Sequence, residues 1–180
     1  MPKVLVPLAQ GCEELEAVTI IDILRRAGIE VTSAGLDSQP VRAGRGVILV
    51  PDTTLDAALH HSYDMIVLPG GQPGTNNLKA DPRILALLRD MLHHGKHVAA
   101  ICAAPSVLAT AGLLDGKRAT SFPGALDAFT KVLQENSAVV QDGFLTTSRG
   151  PGTAIDFALA LVEQLTGSTK RKEVEAGLER

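Results

Sequence analysis

Short apolar runs alternate with amphipathic stretches along most of the chain. Compact apolar runs predict buried strands, whereas apolar residues spaced three or four positions apart predict helices. Glycine or proline ends several of these segments, as at Gly28, Pro51 and Gly95. Strands that alternate with helices indicate a layered α/β fold with a mostly parallel central sheet.

The pattern assigns most of the chain to specific elements. The predicted strands cover residues 4–8, 29–34, 47–50, 64–69, 96–101 and 118–121, and residues 138–141 and 144–148 form a predicted hairpin around Asp142-Gly143. The predicted helices cover residues 13–27, 81–94, 104–111 and 151–166, with Asp81 as an N-cap and Pro82 in the first turn. We expect residues 1–180 to form a single domain, with a charged tail at 167–180 that frays.

Composition narrows the function classes. The chain has 180 residues, 45% of them apolar and 21% charged, as in ordinary globular proteins. The chain has 17 Lys and Arg residues against 20 Asp and Glu residues, so its net charge is −3. It contains no basic block of the kind that a nucleic-acid-binding protein shows. The longest apolar stretch, residues 98–105, is too short to span a membrane, and the N-terminus lacks the features of a signal peptide. We therefore expect a cytoplasmic protein with no nucleic-acid or membrane partner.

Cys102 is the most specific chemical feature, because a predicted strand meets a predicted helix there. Its neighbours Ala99, Ala100, Ala103 and Ala104 are small enough for a tight strand-to-helix turn, like a nucleophile elbow. The N-terminus of a helix favours the thiolate, so we expect a lowered pKa for this thiol. The alternative is a buried, unreactive core cysteine.

Glu16 is the best partner for that thiol. It follows the first strand at the carboxyl edge of the sheet, where the chemistry of α/β folds is located. Helical spacing places it on the same face as Ile20 and Ile23, and a carboxyl on an apolar face has a raised pKa. A neutral acid can donate to a thiolate, so Cys102 and Glu16 form a candidate nucleophile and general acid/base pair.

The histidines are poor partners, because all five lie toward the opposite edge of the sheet. His97 is roughly 16 Å from Cys102 along its own strand. We interpret the histidines as surface residues, and Glu13 as a favourable charge at a helix start. No His/Cys cluster has the spacing of metal ligands, so we expect neither a metal nor a cofactor.

Other residues near the carboxyl edge allow two interpretations each. Gly70 and Gly71 end a strand, and their N–H groups either form an oxyanion hole or belong to a simple turn. Arg149 either attracts an anionic group or caps a loop. Cys12 is interpreted as incidental, and the alternative is redox pairing with Cys102.

Five sequence blocks resemble the ThiJ/PfpI superfamily, and within it the DJ-1 branch, particularly its bacterial YajL-like members. The resemblance extends from Val4 to about Leu165. The blocks are residues 11–18 (GCEELEAV), 25–28 (RRAG), 63–71 (YDMIVLPGG), 99–105 (AAICAAP) and 147–153 (TSRGPGT).

The resemblance implies a flavodoxin-like three-layer sandwich and a homodimer. It implies that Cys102 is the reactive, oxidation-prone cysteine and that Glu16 is a protonated carboxyl beside it. It places the backbone N–H groups of Gly71 and Ala103 around the site. It also implies that Arg45, and an arginine from across the dimer such as Arg26, lie nearby.

The resemblance leaves two functions open. One is a cofactor-independent glyoxalase or protein deglycase that acts on small 2-oxoaldehydes or glycated adducts during carbonyl and oxidative stress. The other is a redox sensor or holdase chaperone for misfolded proteins that signals through oxidation of Cys102. Phe122 stands where the animal branch has a histidine, which removes one proton shuttle. Ala103 stands where the protease-like branch has a histidine, which argues against a peptidase.

Overall fold

The computed structural model describes all 180 residues. The strands are β1 (Lys3–Leu8), β2 (Glu30–Gly35), β3 (Val41–Arg42), β4 (Ile48–Leu49), β5 (Thr53–Thr54), β6 (Met65–Leu68), β7 (His97–Ile101), β8 (Arg118–Ala119), β9 (Leu133–Gln134), β10 (Val139–Asp142) and β11 (Leu145–Ser148). The helices are α1 (Glu14–Arg26), α2 (Leu55–Ala58), α3 (Gln72–Ala80), α4 (Pro82–His93), α5 (Pro105–Thr110), α6 (Ala154–Thr166) and α7 (Ser168–Ala176). A 3-10 turn at Pro151–Thr153 leads into α6.

Seven strands form the central sheet in the order β10-β11-β7-β6-β1-β2-β5. Neighbouring strands are parallel except for the hairpin of β10 and β11. Helices α1 and α6 cover one face, and α4 and α5 cover the other. Along β1, Val4 and Val6 point into the core under α1 and α6, and Leu5 points into the core under α4 and α5. Because both faces of the sheet are buried, residues 4–6 are all apolar. This arrangement confirms the predicted α/β fold.

Two predicted strands lie outside the central sheet. Residues 47–50 contribute only β4, which pairs with β3 in a separate hairpin. Residues 118–121 contribute only β8, which pairs with β9. The elements that the pattern missed are short or polar, and α3 (QPGTNNLKA) combines a proline, a glycine and two asparagines, which disfavour a helix. None of the helices combines the length and the apolar character that crossing a membrane requires.

The sequence predicted a frayed C-terminal tail, and this prediction is wrong, because most of the tail forms helix α7. Helix α7 packs against α6, and Val174 is buried in that contact. Arg171 pairs with Glu163 at 2.6 Å, and Arg180 pairs with Asp156 at 2.9 Å. The charges of the tail therefore dock it on α6.

Candidate active site

Cys102 lies directly after β7 and before α5, in a tight turn. Its φ of 64° falls in the left-handed region, which residues other than glycine rarely adopt. Its N–H donates to the carbonyl of Ser148 at 2.9 Å, and its carbonyl accepts from the N–H of Phe122 at 2.8 Å. These bonds hold a strained conformation in place, and such strain clusters at functional sites.

Glu16 lies in the first turns of α1 and is completely buried. Glu13 is the N-cap of that helix, and its carboxylate accepts from the backbone N–H of Glu16 at 3.0 Å. The cap fixes where α1 begins and so turns Glu16 toward the sheet. Glu13 therefore has the structural role that the sequence predicted.

Gly70 brings Glu16 and Cys102 together. Its N–H donates to Oε2 of Glu16 at 2.7 Å. A Cβ at this position would lie 2.6 Å from Cβ of Cys102 and 2.8 Å from that same oxygen. Only glycine leaves room for the carboxyl and the thiol to meet across the backbone. Because Glu16 occupies this N–H, Gly70 is not free to act as the oxyanion donor that the sequence suggested.

Two other backbone N–H groups serve the sulfur. Those of Gly71 and Ala103 interact with the Cys102 side chain and act to lower its pKa. Gly71 has a φ of 87°, and a Cβ there would lie 2.6 Å from the backbone nitrogen of Glu13. The family resemblance implies the same two N–H groups at this site.

Burial dominates the pKa of both side chains. It raises the pKa of Glu16 to about 7, against the opposing hydrogen bond from Gly70 and the interaction with Cys102. Burial, followed by the negative charge of Glu16, raises the pKa of Cys102 to about 12. The expected lowering of the Cys102 pKa is therefore wrong, because α5 has only six residues and desolvation outweighs the N–H donors.

The two raised pKa values mean that the pair retains at least one proton at neutral pH. Oε1 of Glu16 is buried and has no hydrogen-bond partner, whereas Oε2 accepts from Gly70. An ionised carboxyl would leave Oε1 charged and without a donor, so the site favours a proton on this oxygen. Once Glu16 is neutral, its charge no longer opposes the thiolate of Cys102.

Cys12 and the histidines lie outside this arrangement. Cys12 is 1% exposed, and burial together with the charges of Glu14 and Glu13 raises its pKa to about 12. Both cysteines are free thiols. His97 begins β7, at the opposite end from Cys102, as predicted. No group of three or more His, Cys, Asp or Glu side chains is arranged to hold a metal ion.

Two of the candidate arginines, Arg149 and Arg26, make their contacts within one chain away from Cys102 and Glu16. Arg149 donates to the backbone carbonyl of Asn136 at 3.2 Å, so it caps a loop, which was the second interpretation. Arg26 pairs with Asp22 at the far end of α1, ten residues or about 15 Å along the helix from Glu16. Within one chain, Arg26 therefore does not reach the site.

Arg45 contacts the start of α1, at the edge of the site, through its backbone N–H group. Its N–H donates to Glu14 Oε1 at 2.8 Å, and the N–H of Gly44 donates to the carbonyl of Cys12 at 2.7 Å. These bonds place the β3–β4 turn against the start of α1. Glu14 thus has a positioning role that the sequence did not show.

A cleft of about 480 Å³ opens beside Ala103, the residue that follows the cysteine. Gln72, Lys79, Ala103, Ser106 and residues 122–125 line it. Lys79 was missed by sequence reasoning, because α3 has no hydrophobic periodicity and was not identified as a helix. The cleft reaches the turn that holds Cys102 through Ala103, the next residue along the chain.

The sequence model of the DJ-1/PfpI family matches residues 2–164, nearly the whole chain. The chain belongs to the DJ-1/PfpI family. Among DJ-1 proteins, protein dj-1beta from Drosophila melanogaster is 45% identical over 177 residues, which cover 97% of this chain and 95% of the relative. A crystal structure of Drosophila melanogaster DJ-1beta matches with a TM-score of 0.95 at 44% identity, covering 98% of this chain and 97% of the other.

Two further DJ-1 relatives bear on chemistry. Oxidized DJ-1 from Toxoplasma gondii matches with a TM-score of 0.95 at 42% identity, covering 99% of this chain and 98% of the other. Glutathione-independent glyoxalase DJR-1.2 from Caenorhabditis elegans is 38% identical over 165 residues, which cover 89% of this chain and 87% of the relative. The DJ-1 resemblance and the flavodoxin-like fold are confirmed.

Proposed function

We propose that this DJ-1-like protein converts small 2-oxoaldehydes, or their glycation adducts, into hydroxy acids without a cofactor. The observation that carries the proposal is the meeting of Cys102 with a buried, proton-holding Glu16 across Gly70. The similarity to a glutathione-independent glyoxalase supports this reaction over other thiol chemistry.

The residues present are sufficient for a balanced reaction. The thiolate of Cys102 adds to the aldehyde carbon, and the carbonyl oxygen takes the proton of Glu16, which gives a hemithioacetal. The Glu16 carboxylate then moves the proton of the former aldehyde carbon to the neighbouring carbonyl oxygen, which gives an enediol, and moves the hydroxyl proton of the former aldehyde carbon to the neighbouring carbon. The first carbon is oxidised as the second is reduced, so the product is a thioester and no external oxidant is needed. Water hydrolyses the thioester, which releases the hydroxy acid and restores the thiol.

Phe122 restricts the choice of proton carrier. It is bonded to the turn through its N–H, and its side chain, which lines the cleft, has no ionisable group. Glu16 therefore carries each proton in this mechanism. The N–H groups of Gly71 and Ala103 stabilise the sulfur while it is ionised.

A second candidate function is redox sensing, with or without a holdase activity toward misfolded proteins. The similarity to an oxidized Toxoplasma gondii DJ-1 favours it. In that case oxidation of Cys102 to sulfinate is the signal, and the N–H groups at the site would bind the new oxygens.

Turnover of methylglyoxal separates the two functions. We expect far more than one lactate per subunit, no activity in Cys102→Ser and retained activity in Cys12→Ser. One lactate or less per subunit, with Cys102 converted to sulfinate by peroxide, would replace the enzyme proposal with the sensor.

Free thiols at both cysteines suit the reducing cytoplasm, which is the compartment we propose.

We also propose a homodimer that buries α1 and the β3–β4 hairpin. Leu15 and Val18 on α1, and Val47 and Ile48 on the hairpin, are each about half exposed. The bond from Arg45 to Glu14 brings these two elements side by side. An apolar surface on a helix whose other face already covers the sheet favours a partner.

A further inference from the structure

Lys79 is an unpaired cation in the cleft that Ala103, the residue after Cys102, helps to line. It lies in the last turn of α3 and is partly buried, and no carboxylate lies within 4 Å of its ammonium group. It is the only charged side chain among the residues that line the cleft. An uncompensated charge in a concave, partly apolar site attracts a ligand of opposite sign.

A larger cleft elsewhere in the molecule contains a cation that is paired, in contrast to Lys79. It has a volume of about 650 Å³, and its only cation is Arg83. That guanidinium contacts Asp81 at 2.6 Å and Asp56 at 2.7 Å, so its charge is balanced within the protein. Lys79 has no such partner, and it shares its cleft with Ala103, the residue after the reactive cysteine.

We propose that Lys79 is a specificity-determining residue, which selects 2-oxoaldehydes that carry a carboxylate at the end remote from the aldehyde. The inference rests on the proposed function, since it names the substrate class of the same site. Phe122 and Pro123 supply an apolar wall for the carbon chain between the two groups. A single ammonium suits a monoanionic carboxylate, whereas phosphates are ordinarily bound by several charged donors.

A matched pair of substrates tests the selection. The anionic substrate is 4,5-dioxopentanoate, which would give 2-hydroxyglutarate, and the neutral one is 2-oxopentanal, which has the same number of carbons. In Lys79→Gln we expect kcat/KM for the anion to fall about tenfold, mainly through KM, and that for 2-oxopentanal to stay within about twofold. We expect Lys79→Arg to retain the wild-type kcat/KM for the anionic substrate, because arginine keeps the positive charge. Equal losses for both substrates would mean that Lys79 only stabilises the end of α3, and the proposal would be wrong.

A second measurement does not depend on turnover. Iodoacetate and iodoacetamide are nearly isosteric alkylating agents, and only the first is anionic. We expect Lys79→Gln to lower the ratio of the iodoacetate rate to the iodoacetamide rate at Cys102 about three- to tenfold, as loss of one nearby charge predicts. Lys117→Gln is the control, because Lys117 is exposed, unpaired and outside the cleft.

The two measurements separate the two proposals. An unchanged alkylation ratio in Lys79→Gln overturns the role of Lys79, whatever the turnover. A lowered ratio without turnover of any 2-oxoaldehyde supports an anion-selective cleft and overturns the enzyme proposal alone.

Discussion

The backbone N–H of Gly70 donates to Oε2 of Glu16 at 2.7 Å, and this bond determines which carboxyl oxygen holds the proton. Since Oε2 is the acceptor, the proton belongs on Oε1, which is buried without another partner. The neutral carboxyl then lies beside Cys102 without repelling its thiolate. The chemistry of the site therefore depends on a glycine that joins a strand to a helix.

Replacing Glu16 with glutamine separates proton transfer from thiol ionisation. Glutamine keeps the shape and an N–H donor but has no proton to transfer, so methylglyoxal turnover should fall by about 10²-fold or more. Alkylation of Cys102 at pH 8 should be as fast as in the wild type or faster, because the negative charge that raises its pKa is gone. In Glu16→Asp the carboxyl keeps its proton on a side chain that is one methylene shorter, and Cys102 should still be oxidised to sulfinate by peroxide. Unchanged turnover in Glu16→Gln would remove Glu16 as the proton carrier.

The raised pKa of Glu16 also predicts how stability depends on pH. The unfolded chain loses this proton near its ordinary pKa of 4.5, whereas the folded chain loses it near 7. Between these values the folded state binds more protons, so the free energy of unfolding should fall as the pH rises. The loss attributable to Glu16 is about 3 kcal/mol once the pH exceeds 7.

Urea unfolding at pH 5 and pH 8 measures this dependence in the wild type and in Glu16→Gln. Since the variant retains every other titrating group, the difference between the two profiles isolates Glu16. Parallel profiles would show that the folded protein does not hold this proton.

Gly70→Ala tests the close approach of backbone and side chains. The added Cβ would overlap Cβ of Cys102 and Oε2 of Glu16, so the unfolding free energy should fall by about 1–3 kcal/mol and turnover should drop. Gly152→Ala is the control, because a Cβ there meets nothing within 4 Å. Equal stabilities of the two variants would contradict the geometry at Gly70.

Cys102 should react with iodoacetamide before Cys12 at neutral pH. The Cys102 sulfur has the N–H groups of Gly71 and Ala103 beside it, whereas Cys12 is 1% exposed and lies near the charges of Glu14 and Glu13. Mass spectrometry of the partly labelled protein gives the order. Equal labelling, or earlier labelling of Cys12, would contradict the assigned site.

Light scattering at micromolar concentration should give the mass of a dimer. Val18→Glu places a charge in the apolar surface of α1 and should shift the mass toward the monomer. Leu133→Glu is the control, because Leu133 is exposed on β9, which pairs with β8 in a separate two-stranded sheet. A monomer mass for the wild type would contradict the proposed interface.

Local patterns were enough to predict the fold and the central pair of residues. A strand buried on both faces must be apolar throughout, so β1, β6 and β7 could be recognised from short runs. Cys102 and Glu16 could be placed at one edge, because the carboxyl ends of parallel strands share an edge. Helix α3 could not be predicted, since its polar sequence forms a helix only through its tertiary packing on the neighbouring helices.

The sequence by itself determined the α/β architecture, the DJ-1 resemblance and the positions of Cys102 and Glu16. Only the tertiary structure decided which N–H groups serve which side chain, the docking of α7, the loop-capping role of Arg149 and the free charge of Lys79. Hydrophobic periodicity reports which face of an element is buried, but a pKa depends on desolvation and on partners such as Gly70, 54 positions away from Glu16. Those distances exist only once the chain has folded.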